Sequence, residues 1–341
     1  MDTPSTLLNT QGLVISKTTG SYAVQLTNSP PQAGEGPGVR ENCLACILAA
    51  RLRPEQVVVG DMVRLAPGPG HTGQIIEVLP RRNHLARRGV PSRPGAHTFE
   101  QVIAANVDQL APVFAAASPA PSWNLLDRYL AVAGALGLPA IIVITKADLA
   151  PGDDDLREAL DDYRRLGYRV VVTSAASNAG AAGAGAAGAG AGGAGAVGAG
   201  RDDLRDALGG RVSVLLGKSG VGKTTLLNAL EPGLGLRVAE VSRATGKGRH
   251  TTTQVQLFPL AGAANGAIID TPGTREFGLW DIEPDELALY FPEMRPLVGQ
   301  CKFGLDCRHD EEPGCAIRQA VLAGAISPRR YQSYLRLAFE A

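Results

Sequence analysis

Gly217-Lys218-Ser219-Gly220-Val221-Gly222-Lys223-Thr224 follows the apolar run Val212-Ser213-Val214-Leu215-Leu216 and precedes a helical pattern carrying Leu226, Leu227 and Leu230. Strand, glycine-rich loop and helix in this order make a phosphate-binding loop. The glycines let backbone N–H groups approach phosphate oxygens closely. The start of the helix adds further N–H donors and a partial positive charge. Lys223 is placed to neutralise the β- and γ-phosphates and the Thr224 hydroxyl to ligate Mg²⁺, with Thr225 beside it in the loop. The stretch therefore sets an α/β nucleotide-binding domain around itself, because a chance glycine-rich turn would lack the flanking strand and helix.

The base is read elsewhere, and earlier in the chain. Thr145-Lys146-Ala147-Asp148 sits just past the apolar strand of residues 140–144, at the strand end where α/β folds bind ligands. An Asp148 carboxylate there can accept from the N1–H and exocyclic NH₂ of guanine, whereas adenine leaves those bonds unmade. Lys146 is expected to lie over the base. Ser174-Ala175, after the next strand, can present N–H groups to the guanine O6. Thr145 stands where such motifs usually carry asparagine, so weaker bracing of the base loop is expected, with guanine selection kept.

Asp270-Thr271-Pro272-Gly273 follows the strand Gly266-Ala267-Ile268-Ile269. Asp270 can hold Mg²⁺ through water, and the Gly273 N–H can sense the γ-phosphate. Between this motif and the phosphate loop lies Gly248-Arg249-His250-Thr251-Thr252-Thr253, where Thr252 is the expected second Mg²⁺ hydroxyl. Segments held through the γ-phosphate and metal are released on hydrolysis. Ras-like GTPases orient the attacking water with a glutamine after this glycine. Here the position is Thr274, too short for that task, and His250 is the candidate substitute because an imidazole can accept from water. A chain that holds guanine nucleotide on RNA but barely hydrolyses it is the alternative.

Working outward, residues 1–105 read as short strands with glycine-rich turns, at 12–16, 21–26, 43–52, 61–65 and 73–78, which suits an OB-type five-stranded barrel. Residues 106–281 alternate strand and helix and read as a covered, mostly parallel sheet. Within them residues 178–200 are almost purely Gly and Ala. That stretch is long enough for a membrane span, but its composition suits a flexible insertion better. Residues 282–341 carry Cys301, Cys307, His309 and Cys315 in the pattern C-x5-C-x-H-x5-C. Three sulfurs and one nitrogen close a tetrahedron, so a structural Zn²⁺ site is expected. Cys43 and Cys46 alternate along a strand and read as packing thiols.

Formal net charge is +0 and charged residues make up 19% of the chain, which argues against a uniformly basic nucleic-acid binder. A local basic stretch exists nonetheless. Arg81, Arg82, Arg87, Arg88 and Arg93 lie together with no Asp or Glu between them. Beside an OB-like barrel they are expected to contact RNA phosphates. The first residues lack a secretory pattern, and the cysteine usage suits a reducing compartment, so a cytoplasmic, membrane-free monomer is expected.

The sequence closely resembles the ribosome small-subunit-dependent GTPase A family, circularly permuted GTPases of bacteria. The residues that carry this resemblance are Leu79-Pro80-Arg81-Arg82-Asn83, Gln101-Val102-Ile103-Ala104-Ala105-Asn106-Val107-Asp108-Gln109, the motifs above, Arg275-Glu276-Phe277-Gly278-Leu279-Trp280 and the cysteine cluster. The resemblance implies an OB domain, a permuted GTPase domain and a zinc domain, with His250 catalytic. It also implies action in late maturation of the small ribosomal subunit, through rRNA contact and GTP hydrolysis to GDP that the subunit stimulates.

Overall fold

The computed structural model describes residues 10–27, 43–69, 72–89, 99–174, 199–236, 255–260, 266–271 and 282–339. The chain divides into two compact units, Met1–Asp108 with Arg201–Glu276, and Gln109–Gly200 with Phe277–Ala341. The stretch read as a nucleotide-binding domain thus contributes to both.

In the first unit, strands β1 (Thr10–Thr18), β2 (Ser21–Leu26), β3 (Cys43–Leu48), β4 (Met62–Pro67) and β5 (Gly73–Val78) close a barrel in the order β1-β2-β3-β5-β4-β1. All its pairs are antiparallel except β3 with β5. This is the expected OB-type barrel. Alternation along the strands turns Val14, Tyr22, Val24, Cys46, Val63, Leu65 and Ile75 inward as its core. Burial pushes the Cys46 thiol up to about 12, which suits a packing thiol. Strands β6 (His84–Gly89) and β7 (Phe99–Ala105) then form a separate antiparallel hairpin. The arginine-rich stretch thus lies partly on a strand; Leu-Ala-Arg-Arg lacks the two-residue alternation that would reveal it.

In the second unit, β8 (Gln109–Ala115), β9 (Ile141–Thr145) and β10 (Arg169–Val172) pair in parallel. β8 and β9 are buried at every position, which is why residues 110–115 and 141–144 read as unbroken apolar runs. Helix α1 (Trp123–Ala135) buries Leu126, Tyr129, Leu130 and Ala133 at helical spacing. Helix α2 (Asp154–Arg165) starts on Asp153, whose side chain accepts from Leu156 N at 2.9 Å. Acidic residues fill its first turn and arginines its last, complementing the helix dipole.

Back in the first unit, α3 (Ala199–Leu208) precedes β11 (Val212–Leu216), which runs into the phosphate loop and α4 (Lys223–Leu230). β12 (Gln256–Pro259) pairs antiparallel and β11 parallel with β13 (Ala267–Asp270). β12 also meets the barrel strand β1 at Ser16↔Gln256. No described helix is long and apolar enough to cross a membrane.

The second unit ends in α5 (Ala316–Leu322) and α6 (Pro328–Phe339). Arg330 on α6 is 1% exposed and lies between two carboxylates. It pairs with Asp127 of α1 and is bidentate to Glu293 at 2.7 and 3.1 Å, while Tyr163 of α2 donates to Asp127 at 2.6 Å. Its guanidinium also stands 4.5 Å from the Phe291 ring centroid. Arg330→Met should cost about 3 kcal/mol, because two buried carboxylates lose their counter-charge. Urea unfolding checks this, and a variant that also carries Asp127→Asn and Glu293→Gln should recover part of the loss.

Candidate functional site

In the phosphate loop, Gly220 and Gly222 take φ of +84° and +95°, a region that side chains with a Cβ rarely enter. Glycine there lets the backbone follow this path before α4 begins. The Lys223 ammonium donates to Gly217 O at 2.7 Å and Lys218 O at 3.2 Å, so it is held within the loop. Burial lowers its pKa, and the charge of Asp270 works in the opposite direction. Asp270 ends β13 and is 2% exposed, paired with Leu215 of the strand that leads into the loop. The next residue, Thr271, donates its hydroxyl to Leu215 O at 2.9 Å. Ser219 is exposed and Thr224 and Thr225 are half-buried. A buried carboxylate, a lysine and a helix-opening hydroxyl on adjoining elements are the donor set that a metal-bound triphosphate needs.

The base-reading motif is built on the second unit. Thr145, 6% exposed, ends β9 and donates its hydroxyl to Phe114 O at 3.3 Å in β8. Its side chain is therefore tied to the neighbouring strand of its own sheet. Lys146 takes a left-handed conformation, φ 54°, and its ammonium reaches Ser118 O. Ala147–Leu149 form a single 3-10 turn that lifts Asp148 into solvent. Ala147 N donates to Thr173 O at 3.2 Å, and the Ser174 hydroxyl donates to an Asp148 carboxylate oxygen. Asp148 is thus exposed and oriented by a neighbour, as a recognition carboxylate must be.

Ala175, His250, Thr252 and Gly273 lie outside the described residues, as does Arg93, and the Gly/Ala stretch is described only at residues 199–200.

The four cluster residues converge. Their ligand atoms lie within 4.8 Å of one another, and all four residues are buried. Cys301 Sγ lies 3.8 Å from Cys315 Sγ and 3.4 Å from His309 Nδ1, which is 3.6 Å from Cys315 Sγ. A tetrahedral ion with sulfur at about 2.3 Å and nitrogen at about 2.0 Å has edges of about 3.8 and 3.5 Å. The donor set therefore fits such an ion, with Nδ1 as the histidine ligand. Ala316 N and Arg318 N donate to Cys301 and Cys315 sulfurs at 3.3 and 3.5 Å. Tyr331 donates to His309 O at 2.6 Å and Tyr334 to Arg308 O at 3.2 Å, fixing the loop that carries the ligand. Burial pushes the Cys307 thiol up to about 12, so a metal ion has to displace its proton.

The arginines divide. Arg81 is bidentate to the buried Asp61 at 2.7 and 2.9 Å, and that carboxylate holds its pKa above the ordinary value. Arg82 pairs with Asp108 at 2.9 Å. Arg87 donates to Gln101 at 3.0 Å and borders a cavity of about 420 Å³ that Lys17, Val58 and Val102 also line. Arg88 lies opposite Glu100 in the hairpin register. The partners of Arg81 and Arg82 were missed from sequence, since Asp61 and Asp108 are remote in the chain from the arginines they bind.

A family model for RsgA GTPases matches residues 78–184 and 194–280. The small ribosomal subunit biogenesis GTPase RsgA of Gemmatimonas aurantiaca is 45% identical over 285 residues, 83% of each chain. The protein of the same name from Pseudomonas aeruginosa is 41% identical over 293 residues, 85% of this chain and 76% of its own. Among solved structures, YjeQ from Thermotoga maritima superposes with a TM-score of 0.68 at 31% identity, covering 98% of both chains. YloQ, a circularly permuted GTPase, gives 0.64 at 29% identity, covering 97% of this chain and 94% of its own. Sequence and fold agree along nearly the whole length, and the chain belongs to the RsgA GTPase family.

Proposed function

We propose that this protein hydrolyses GTP to GDP and phosphate during late maturation of the small ribosomal subunit, and that the subunit stimulates it. The observation that carries the reading is the phosphate loop beside Asp270, joined in one chain to an exposed, oriented Asp148. Thr224 and Asp270, with Thr252, would hold Mg²⁺, which supplies neutralisation of phosphate charge. Lys223 binds the phosphates, and Gly217, Lys218, Ser219, Gly220, Val221, Gly222, Thr225 and Gly273 supply the surrounding contacts. Asp148, with Lys146, Ala147, Ser174 and Ala175, selects guanine. His250 positions the attacking water.

The functional division we adopt is an RNA-binding barrel over residues 1–105, a GTPase region over 106–281 and a Zn²⁺-holding region over 282–341. Tetrahedral spacing and three sulfur donors favour Zn²⁺. The rRNA contact rests chiefly on Arg87 and Arg88, because Asp61 and Asp108 already engage Arg81 and Arg82. The protein acts in the cytoplasm as a monomer. GTP turnover with and without purified small subunits tests the reading, which fails if the subunits give no stimulation. His250→Ala should lower stimulated turnover about a hundredfold, the lower range for a proton-handling group. Unchanged turnover would remove the role given to His250.

A further inference from the structure

A chain of hydrogen bonds runs from the barrel to the strand that delivers the phosphate loop. It begins at the turn before β4, where Val14 N of β1 donates to Asp61 O at 2.9 Å and Gly60 N to Val14 O at 2.9 Å. Asp61 is fully buried; its carboxylate takes Val58 N at 2.8 Å and the Arg81 fork. Gly60 has φ +91°, and a Cβ there would stand 2.1 Å from Ala105 O, so only glycine lets the turn meet the end of β7. The next residue, Asn106, also takes a left-handed conformation, φ 55°. Its amide donates to Gly60 O at 2.9 Å and accepts from Arg82 N at 2.9 Å. Asn83 grips Val107 from both sides, at 2.8 Å each.

The chain ends on Asp108. One carboxylate oxygen accepts from Arg82 at 2.9 Å and the other from Val212 N at 2.8 Å, while Asp108 N donates to Val212 O at 2.8 Å. Both backbone polar groups of Val212 are therefore taken by one residue. Val212 is the first residue of β11, whose last residue, Leu216, immediately precedes the loop. Loop N–H groups act on phosphate only when held within a fraction of an ångström, and a five-residue strand transmits any slack at its start.

We propose that Asp108, held by Arg82, is a positioning residue for GTP hydrolysis: it fastens the phosphate-loop strand to the barrel and so sets the loop's geometry. Neither residue belongs to the phosphate loop or to the base-reading motif. Both act through β11, and the ion pair keeps the Asp108 carboxylate aimed at Val212.

Steady-state GTP hydrolysis by the full chain, well below each variant's melting temperature, tests this. Asp108→Ala removes the acceptor and should lower kcat/KM about tenfold. Asp108→Asn keeps an oxygen for Val212 N but loses the charge, and should lose about threefold, as should Arg82→Met. The double variant carrying Asp108→Asn and Arg82→Met should be no worse than either single one, because both break the same pair. If Asp108→Ala does not fold, the two milder variants and their combination carry the test. Wild-type KM and kcat in Asp108→Asn and Arg82→Met alike, or losses that add in the double variant, would overturn the proposal.

Discussion

Asp148→Asn should lose GTP by roughly a hundred- to a thousandfold while gaining xanthosine triphosphate. In the proposed reading the carboxylate accepts from two guanine donors, and hydrogen bonds to a charged group contribute about 1.5–3 kcal/mol each. Asparagine offers one acceptor and one donor, so it faces the guanine NH₂ with an amide NH₂ and leaves a donor unmatched. Xanthine replaces that exocyclic amine by a carbonyl, which the new amide can satisfy. The structure makes the exchange a clean one. Asp148 is exposed on a 3-10 turn, and the backbone beneath it is held by Ala147 N to Thr173 O. The Ser174 hydroxyl that now donates to the carboxylate can donate equally to an amide oxygen. Competition of unlabelled GTP and xanthosine triphosphate against a fluorescent nucleotide measures the exchange. Equal loss of both nucleotides, with the fold intact, would mean that Asp148 braces the loop and does not read the base.

Much of the molecule is legible in its sequence, and the reason lies in periodicity. Residues 110–115 and 140–144 are apolar without interruption because β8 and β9 are buried at every position. The barrel strands were legible from their two-residue alternation, and the phosphate loop from glycines whose positive φ leaves no other choice. The cysteine cluster was legible because metal ligands keep their spacing, and the folded loop brings those sulfurs to tetrahedral distances. What sequence could not reveal is the choice of partner among side chains distant along the chain. Arg81 and Arg82 looked like phosphate-binding groups, yet Asp61 and Asp108 hold them. Arg330 is buried between Asp127 and Glu293, both distant from it in the sequence. Arginine carries its charge at the end of a long stem, so its local sequence says little about where that charge ends up. Thr145 is a milder case. Its hydroxyl finds Phe114 O in the neighbouring strand, a contact that no motif records.

Removing the metal should unfold part of the C-terminal region and leave the rest standing. Structural zinc contributes apparent binding energies of about 10–16 kcal/mol in small zinc-binding peptides, comparable to the whole stability of a domain. The region also has an apolar core of its own, in which Leu287, Phe291, Met294, Ile317, Tyr334 and Leu337 pack around the cysteines. Helix α6 is further anchored to α1 through Arg330 and Asp127. The segments that depend most on the ion are those that carry its ligands. The loop of residues 301–315 is made of turns, and α5 is capped by Cys315, whose sulfur accepts from Arg318 N. Chelation should therefore abolish hydrogen-exchange protection over residues 301–322 and lower the melting temperature by about ten degrees or more. Protection in α6 should fall much less. Acid should have the same effect, since binding requires three thiolates and a neutral His309, so affinity falls as pH falls. Elemental analysis should find one zinc per chain, lost in Cys307→Ser. Full protection of residues 301–322 after the metal is gone would show that the apolar core alone holds them, and that the cluster is not a folding element.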